Sequence, residues 1–102
     1  MLRHEPRDTR VRHIQEAIRQ ILLQDWDPIS VRHAPEAQDE YDGYVDGVYR
    51  LLASGASADA VAEHLCAIER GNMGLKPARA RARDRLAVAA KLCRLDVRIQ
   101  PE

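Results

Sequence analysis

Val11, Ile14, Ala17, Ile18, Ile21 and Leu22 fall at offsets 0, 3, 6, 7, 10 and 11, so they line one face of a helix that no strand could reproduce. Arg12, Glu16, Arg19 and Gln20 take the opposite face. Asp8 or Thr9 is the expected cap, and Pro28 prevents the helix from running far past Asp25, because the residue before a proline is pushed out of helical geometry. The rest of the chain must supply a partner for this stripe. In 102 residues with no Phe, one Trp and three Tyr, that partner is built from Leu, Ile, Val and Ala, a composition that favours helices over sheet.

Three further helices are predicted. The second runs from about 40 to 53 with Asp39 as cap and Tyr41, Tyr44, Val45, Val48, Leu51 and Leu52 inward. Gly55 ends it and Ser57 caps a third helix carrying Val61, Leu65 and Ile68, stopped by Gly71 and Asn72. Pro77 suits the start of a fourth, whose stripe is Leu86, Ala89, Ala90 and Cys93, broadened by Val88, Leu92 and Leu95. The fold class is therefore all-α: a compact four-helix domain over 9–96, with a flexible N-terminus at 1–8 and a tail at 97–102. Residues 27–38, with Pro28, Pro35 and no periodicity, form a long ordered loop between helices 1 and 2.

No stretch approaches the roughly 20 apolar residues of a membrane helix, and the first twelve residues lack the apolar centre of a signal peptide. Cys66 and Cys93 are expected as free thiols, small hydrophobes where buried, and the location as cytoplasmic.

Charge divides along the chain while cancelling overall. Residues 36–70 carry eight acids against two bases, and residues 71–102 carry eight bases against three acids. The two regions either pair internally or present surfaces to different partners. Asp39, Glu40, Asp42 and Asp46 are the densest acids, but their spacing is helical and misses the alternating ligands of a calcium loop. Acids at a helix start complement its dipole, which accounts for the first three and not for Asp46. Gly43 and Gly47 each cost about 1 kcal/mol inside a helix, so something must approach them closely: the 27–38 loop is the first expectation, a partner the second. The arginines at 79, 81, 83 and 85 oppose the positive end of helix 4 and split into two faces, one able to meet the acidic second helix. Neutral net charge and absent aromatic interleaving argue against nucleic acid.

Catalytic and metal chemistry find no pattern. His4, His13 and His33 stand alone, and His64 and Cys66, two apart, point about 200° from one another on a helix. No nucleophile, base and acid fall into an assignable set, and no cofactor is expected.

The segments Trp26-Asp27-Pro28-Ile29-Ser30-Val31 and Asp39-Glu40-Tyr41-Asp42, followed by Met73-Gly74-Leu75, resemble a family of small uncharacterised bacterial helical proteins with the signature W-D-P-I-G-V, a short proline-containing loop, D-E-Y-D and M-G-L. Ser30 departs from the family's glycine. The resemblance covers about residues 10 to 95 and implies a compact helical fold; relatives of this general kind include candidate immunity proteins of bacterial toxin systems.

The functional expectation is a non-enzymatic protein-binding module, of toxin-immunity or regulatory type, acting through Trp26, Asp27, Asp39, Glu40, Asp42 and Asp46 on a basic protein partner. The alternative is a small ligand binder or enzyme with a pocket under the 27–38 loop, using Asp27, His33 and Asp42. Ala and Leu stripes leave room for a homodimer.

Overall fold

The computed structural model describes residues 6–76 and 81–97, and the side chains of 9–76 and 81–97. Among the described residues the chain is all-α, with helices α1 (Pro6–Ile21), α2 (Val45–Ala53), α3 (Ala58–Ala67) and α4 (Ala82–Cys93). Pro77, Arg79, His4 and the tail beyond Val97 lie outside the described residues.

The α1 stripe forms as its spacing requires: Ile14, Ile18, Ile21 and Leu22 are buried and Val11 half-buried. The helix begins at Pro6, so Asp8 and Thr9 fall within it rather than ahead of it. Its last turn widens into a π-helical turn, Leu22–Trp26, closed by Asp27 in left-handed conformation (φ 35°) with its N–H donated to the Leu22 carbonyl at 2.9 Å. The wide turn brings Leu22, Leu23 and Trp26 together into the core. α3 ends the same way, in a second π-helical turn, Ile68–Asn72, which buries Ile68 and Glu69.

Helix 2 is shorter than its periodicity predicts. Residues 35–37 and 42–44 form 3-10 turns, and α2 proper starts at Val45. Gly43 therefore lies outside the helix and exposed, and a Cβ added there would meet nothing within 4 Å. Gly47 does meet a close neighbour, but it is not the loop: the His64 imidazole of α3 comes within 3.3 Å of where a Cβ would stand. Burial pushes the His64 pKa below its ordinary value. Gly55, at φ 83°, ends α2, and the Ser57 hydroxyl caps α3 by accepting the Ala60 N–H at 3.1 Å.

α4 packs chiefly on α3, running antiparallel to it: Arg85 near its start meets Glu69 beyond the end of α3, and the Cys93 thiol at its end lies 3.7 Å from the Ala56 carbonyl ahead of α3. Its inward face is Arg85, Val88, Ala89 and Leu92. This differs from the expected stripe by a rotation: Leu86 is 42% exposed and Cys93 is exposed, because a charged residue holds the core-facing position that periodicity alone assigns to an apolar one. Both cysteines are free, with Cys66 half-buried. No helix among the described residues is long and apolar enough to cross a membrane.

Candidate functional site

The two π-helical turns meet in the interior. The Trp26 indole N–H donates to Glu69 Oε2 at 2.8 Å, and Arg85 Nη1 reaches Glu69 Oε1 at 3.2 Å. Glu69 and Arg85 are 2% and 6% exposed, so the carboxylate meets its two donors almost without water. A buried charge is tolerable only with such partners, and hydrogen bonds to a charged group are the stronger kind. Trp26 also packs against Tyr41 (ring centres 5.3 Å apart) and edge-on against Tyr44 (6.1 Å).

Asp27 turns its side chain back over the following loop. Oδ1 accepts the Val31 N–H at 2.7 Å and the Tyr41 hydroxyl at 2.8 Å, while Oδ2 accepts the Arg32 N–H at 3.2 Å and lies 3.6 Å from the Arg32 guanidinium. Burial works to raise its pKa, but the donors at Val31, Tyr41 and Arg32 and the Arg32 charge outweigh it, and the carboxyl sits below its ordinary range. Burial pushes the Tyr41 phenol upward, with the Asp27 carboxylate adding to the rise. The Tyr41 oxygen in turn accepts the Ile29 N–H at 3.2 Å, and the Gln38 amide donates to the carbonyls of Arg32 and Ala34. Most of the loop's backbone N–H groups thus find acceptors within the chain, which holds a loop of this length in one conformation.

Between this loop and α4 lies an open cleft of about 640 Å³. Asp25, Asp27, Pro28, Ser30 and Arg32 form one wall, and Arg81, Asp84, Ala87, Val88 and Lys91 the other. Lys91 Nζ bridges the walls to Asp25 Oδ2 at 2.8 Å, and Arg81 Nη2 donates to the Trp26 carbonyl at 3.0 Å. Arg32 Nη1 takes the Gln24 carbonyl at 2.6 Å. Arginines thus satisfy the carbonyls that the end of α1 leaves open, where a positive charge also suits the helix dipole. Ile29, between Pro28 and Ser30 in sequence, is 38% exposed and does not line the cleft.

The residues expected from sequence scatter over this arrangement. Trp26 is 1% exposed and the Asp27 side chain 5%, so both are tied into the interior, and both reach the lining of the cleft. Tyr41 is buried with them. Asp39 and Glu40 are exposed. Asp42 is paired with Arg19 at 3.0 Å across to α1, and Asp46 with Arg50 at 3.1 Å one turn along α2; because α2 starts at Val45, Asp46 stands in its first turn, where an acid complements the helix dipole, and not beyond the helix start as the longer helix implied. Asp27, His33 and Asp42 are not brought together: Asp27 lines the cleft, Asp42 lines a groove between α1 and α2, and His33 lines neither. Of the two arginine faces, one expected to meet helix 2 and the other solvent, the Arg81 and Arg85 face does neither: these residues hold the Trp26 carbonyl and Glu69. Among the described residues no three His, Cys, Asp or Glu side chains converge as a metal would require.

Asp25, Glu69, Arg81 and Lys91 belong to no sequence motif, but the pair that Glu69 makes with Arg85 carried a signal. Glu69 continues the buried α3 register of Val61, Leu65 and Ile68, and Arg85 continues that of Val88, Ala89 and Leu92. One acid and one base, each in a core-facing register, are the mark of an internal pair.

Comparison with protein families, with curated proteins and with solved structures found no match to this chain.

Proposed function

We propose that this chain is a non-enzymatic protein-binding module whose docking surface is the cleft between the 27–32 loop and α4. The carrying observation is that both walls are tied in place before any partner arrives: Asp27 holds the loop through Val31, Arg32 and Tyr41, and Lys91 and Arg81 reach from α4 to Asp25 and the Trp26 carbonyl. Walls that need no ordering lower the cost of association. Small-molecule pockets are mostly apolar and enclose their ligand. This cleft is open and lined by charges of both signs, with Pro28, Ala87 and Val88 among them, and so suits a segment of another protein that brings opposite charges and an apolar contact. The exposed acids Asp39 and Glu40 support a second reading, contact through the acidic edge, as in the toxin-immunity role implied by the resemblance.

The test is affinity capture from the native cell extract with three immobilised forms: the unmodified chain, a cleft variant (Arg32→Ala with Lys91→Glu), and an acidic-edge variant (Asp39→Asn, Glu40→Gln, Asp42→Asn, Asp46→Asn). A protein retained by the first and third forms and lost from the second is the expected result. Retention by the cleft variant with loss from the acidic-edge variant overturns the cleft and favours the second reading.

A further inference from the structure

α4 carries more apolar surface than the core takes up. Arg85, Val88, Ala89 and Leu92 turn inward and Lys91 and Asp84 face the cleft, yet Ala82, Leu86 and Cys93 remain exposed along a third face. Leu86, 42% exposed, is one of two large exposed hydrophobic residues among those described. It stands at a groove of about 380 Å³ between α3 and α4, lined also by Ala62, Cys66, Ala82 and Arg85, whose charge is already taken up by Glu69. Charges border this apolar strip in a fixed order. Asp59 and Glu63 line the α3 side. Arg83 is exposed on the far side of Leu86, and among the described residues none of these three has an ion-pair partner.

An acid, apolar, base order across a surface is self-complementary. Turned about a two-fold axis through the apolar strip, it sets the acids of one copy against the base of the other, and each contact occurs twice. Leu86 supplies a protruding side chain, and the small residues beside it supply the recess. We infer that the α3–α4 groove is an interface with a second copy of this chain, in which Leu86 enters the partner's groove and Arg83 meets the partner's Glu63 and the partner's Asp59. This interface lies apart from the cleft, on another face of α4, and does not depend on what the cleft binds.

Sedimentation equilibrium over the micromolar range tests it. The unmodified chain is expected to shift from the mass of one chain to that of two as concentration rises, more steeply at low salt. Leu86→Glu is expected to hold the mass at one chain, and Leu86→Ala to weaken association; unchanged helical circular dichroism separates this from misfolding. Arg83→Glu and Glu63→Arg each place like charges in contact and should be monomeric alone, whereas an equal mixture of the two restores both pairs and should dimerise. A mass of one chain at every concentration overturns the proposal and assigns the groove to a different occupant. Dimerisation indifferent to Leu86→Glu, or not restored in the mixture, overturns this face as the interface.

Discussion

The Trp26 indole N–H and the Glu69 carboxylate, 43 positions apart in sequence, meet at 2.8 Å where the π-helical ends of α1 and α3 converge. Arg85 completes the group from α4, so three separate segments are tied at one buried carboxylate.

Removing one member of such a group leaves an uncompensated buried charge. Glu69→Ala is expected to lower unfolding stability by about 3 kcal/mol or more, a large part of what a small domain has. The double change Glu69→Leu with Arg85→Leu is expected to recover more than half of that loss, since an apolar pair of similar size avoids the cost of burying charge, and the Trp26 N–H alone is left unmatched. Urea titration followed by circular dichroism measures both.

Ser30 holds a left-handed backbone conformation at φ 58°, which costs an ordinary residue about 1–2 kcal/mol and glycine almost nothing. Ser30→Gly is expected to gain about 0.5 kcal/mol after the greater freedom of glycine in the unfolded chain is set against it. Ser30→Val, β-branched and poorly suited to that region, is expected to lose stability. A fall in melting temperature for the glycine variant contradicts this account of the turn.

At Gly47 helix propensity and packing oppose each other. Alanine gains about 1 kcal/mol of propensity inside α2, but its Cβ would stand 3.3 Å from His64 Nε2. Gly47→Ala is therefore expected to stabilise less in the unmodified chain than in a His64→Ala background. A double-mutant cycle reads the difference, and additive effects would show that the imidazole moves aside freely.

Acidification is expected to weaken the fold in two stages. His64 has a folded pKa pushed below its ordinary 6.5 by burial, so its contribution is complete above that value and is lost as pH falls through the folded one. Asp27, also depressed, behaves likewise below the ordinary carboxylate value of 3.8. His64→Ala should flatten the first stage only. Asp27→Asn should remove the second and speed amide exchange at Val31 and Arg32 even at neutral pH, because an amide accepts their N–H groups less well than a carboxylate.

Alkali acts through Tyr41. Its pKa is raised by burial, so its contribution is complete below the ordinary value of 10.0 and is lost as pH rises toward the folded one. Tyr41→Phe should make stability less sensitive to alkali, at the cost of the bonds to Asp27 and the Ile29 N–H.

Amphipathic spacing is enough to read α1 and the buried residues Val45, Val48, Leu52, Val61 and Leu65, because each such position is decided by its own helix. Gly55 and Ser57 are equally legible as stop and cap, since turn chemistry is local. Spacing alone makes helix 2 too long because an acidic, helically spaced run looks the same whether it forms α-helix or 3-10 turns, and the hydrogen bonds of the 27–38 loop decide between them. It finds Val88, Ala89 and Leu92 on the inward face of α4 but centres that face too far toward Leu86 and Cys93, because a core-facing arginine breaks the hydrophobic pattern.

The sequence by itself thus determined the all-α class, the principal helices and their stops. These are properties of residues a few positions apart, where backbone geometry sets which side chains share a face. Only the tertiary structure decided that Trp26 and Asp27 belong to the interior, that His64 is the neighbour of Gly47, and that the arginines of α4 close onto the ends of α1 and α3. Those outcomes depend on which donor meets which acceptor across tens of residues, and the cost of burying a charge without a partner selects among the alternatives.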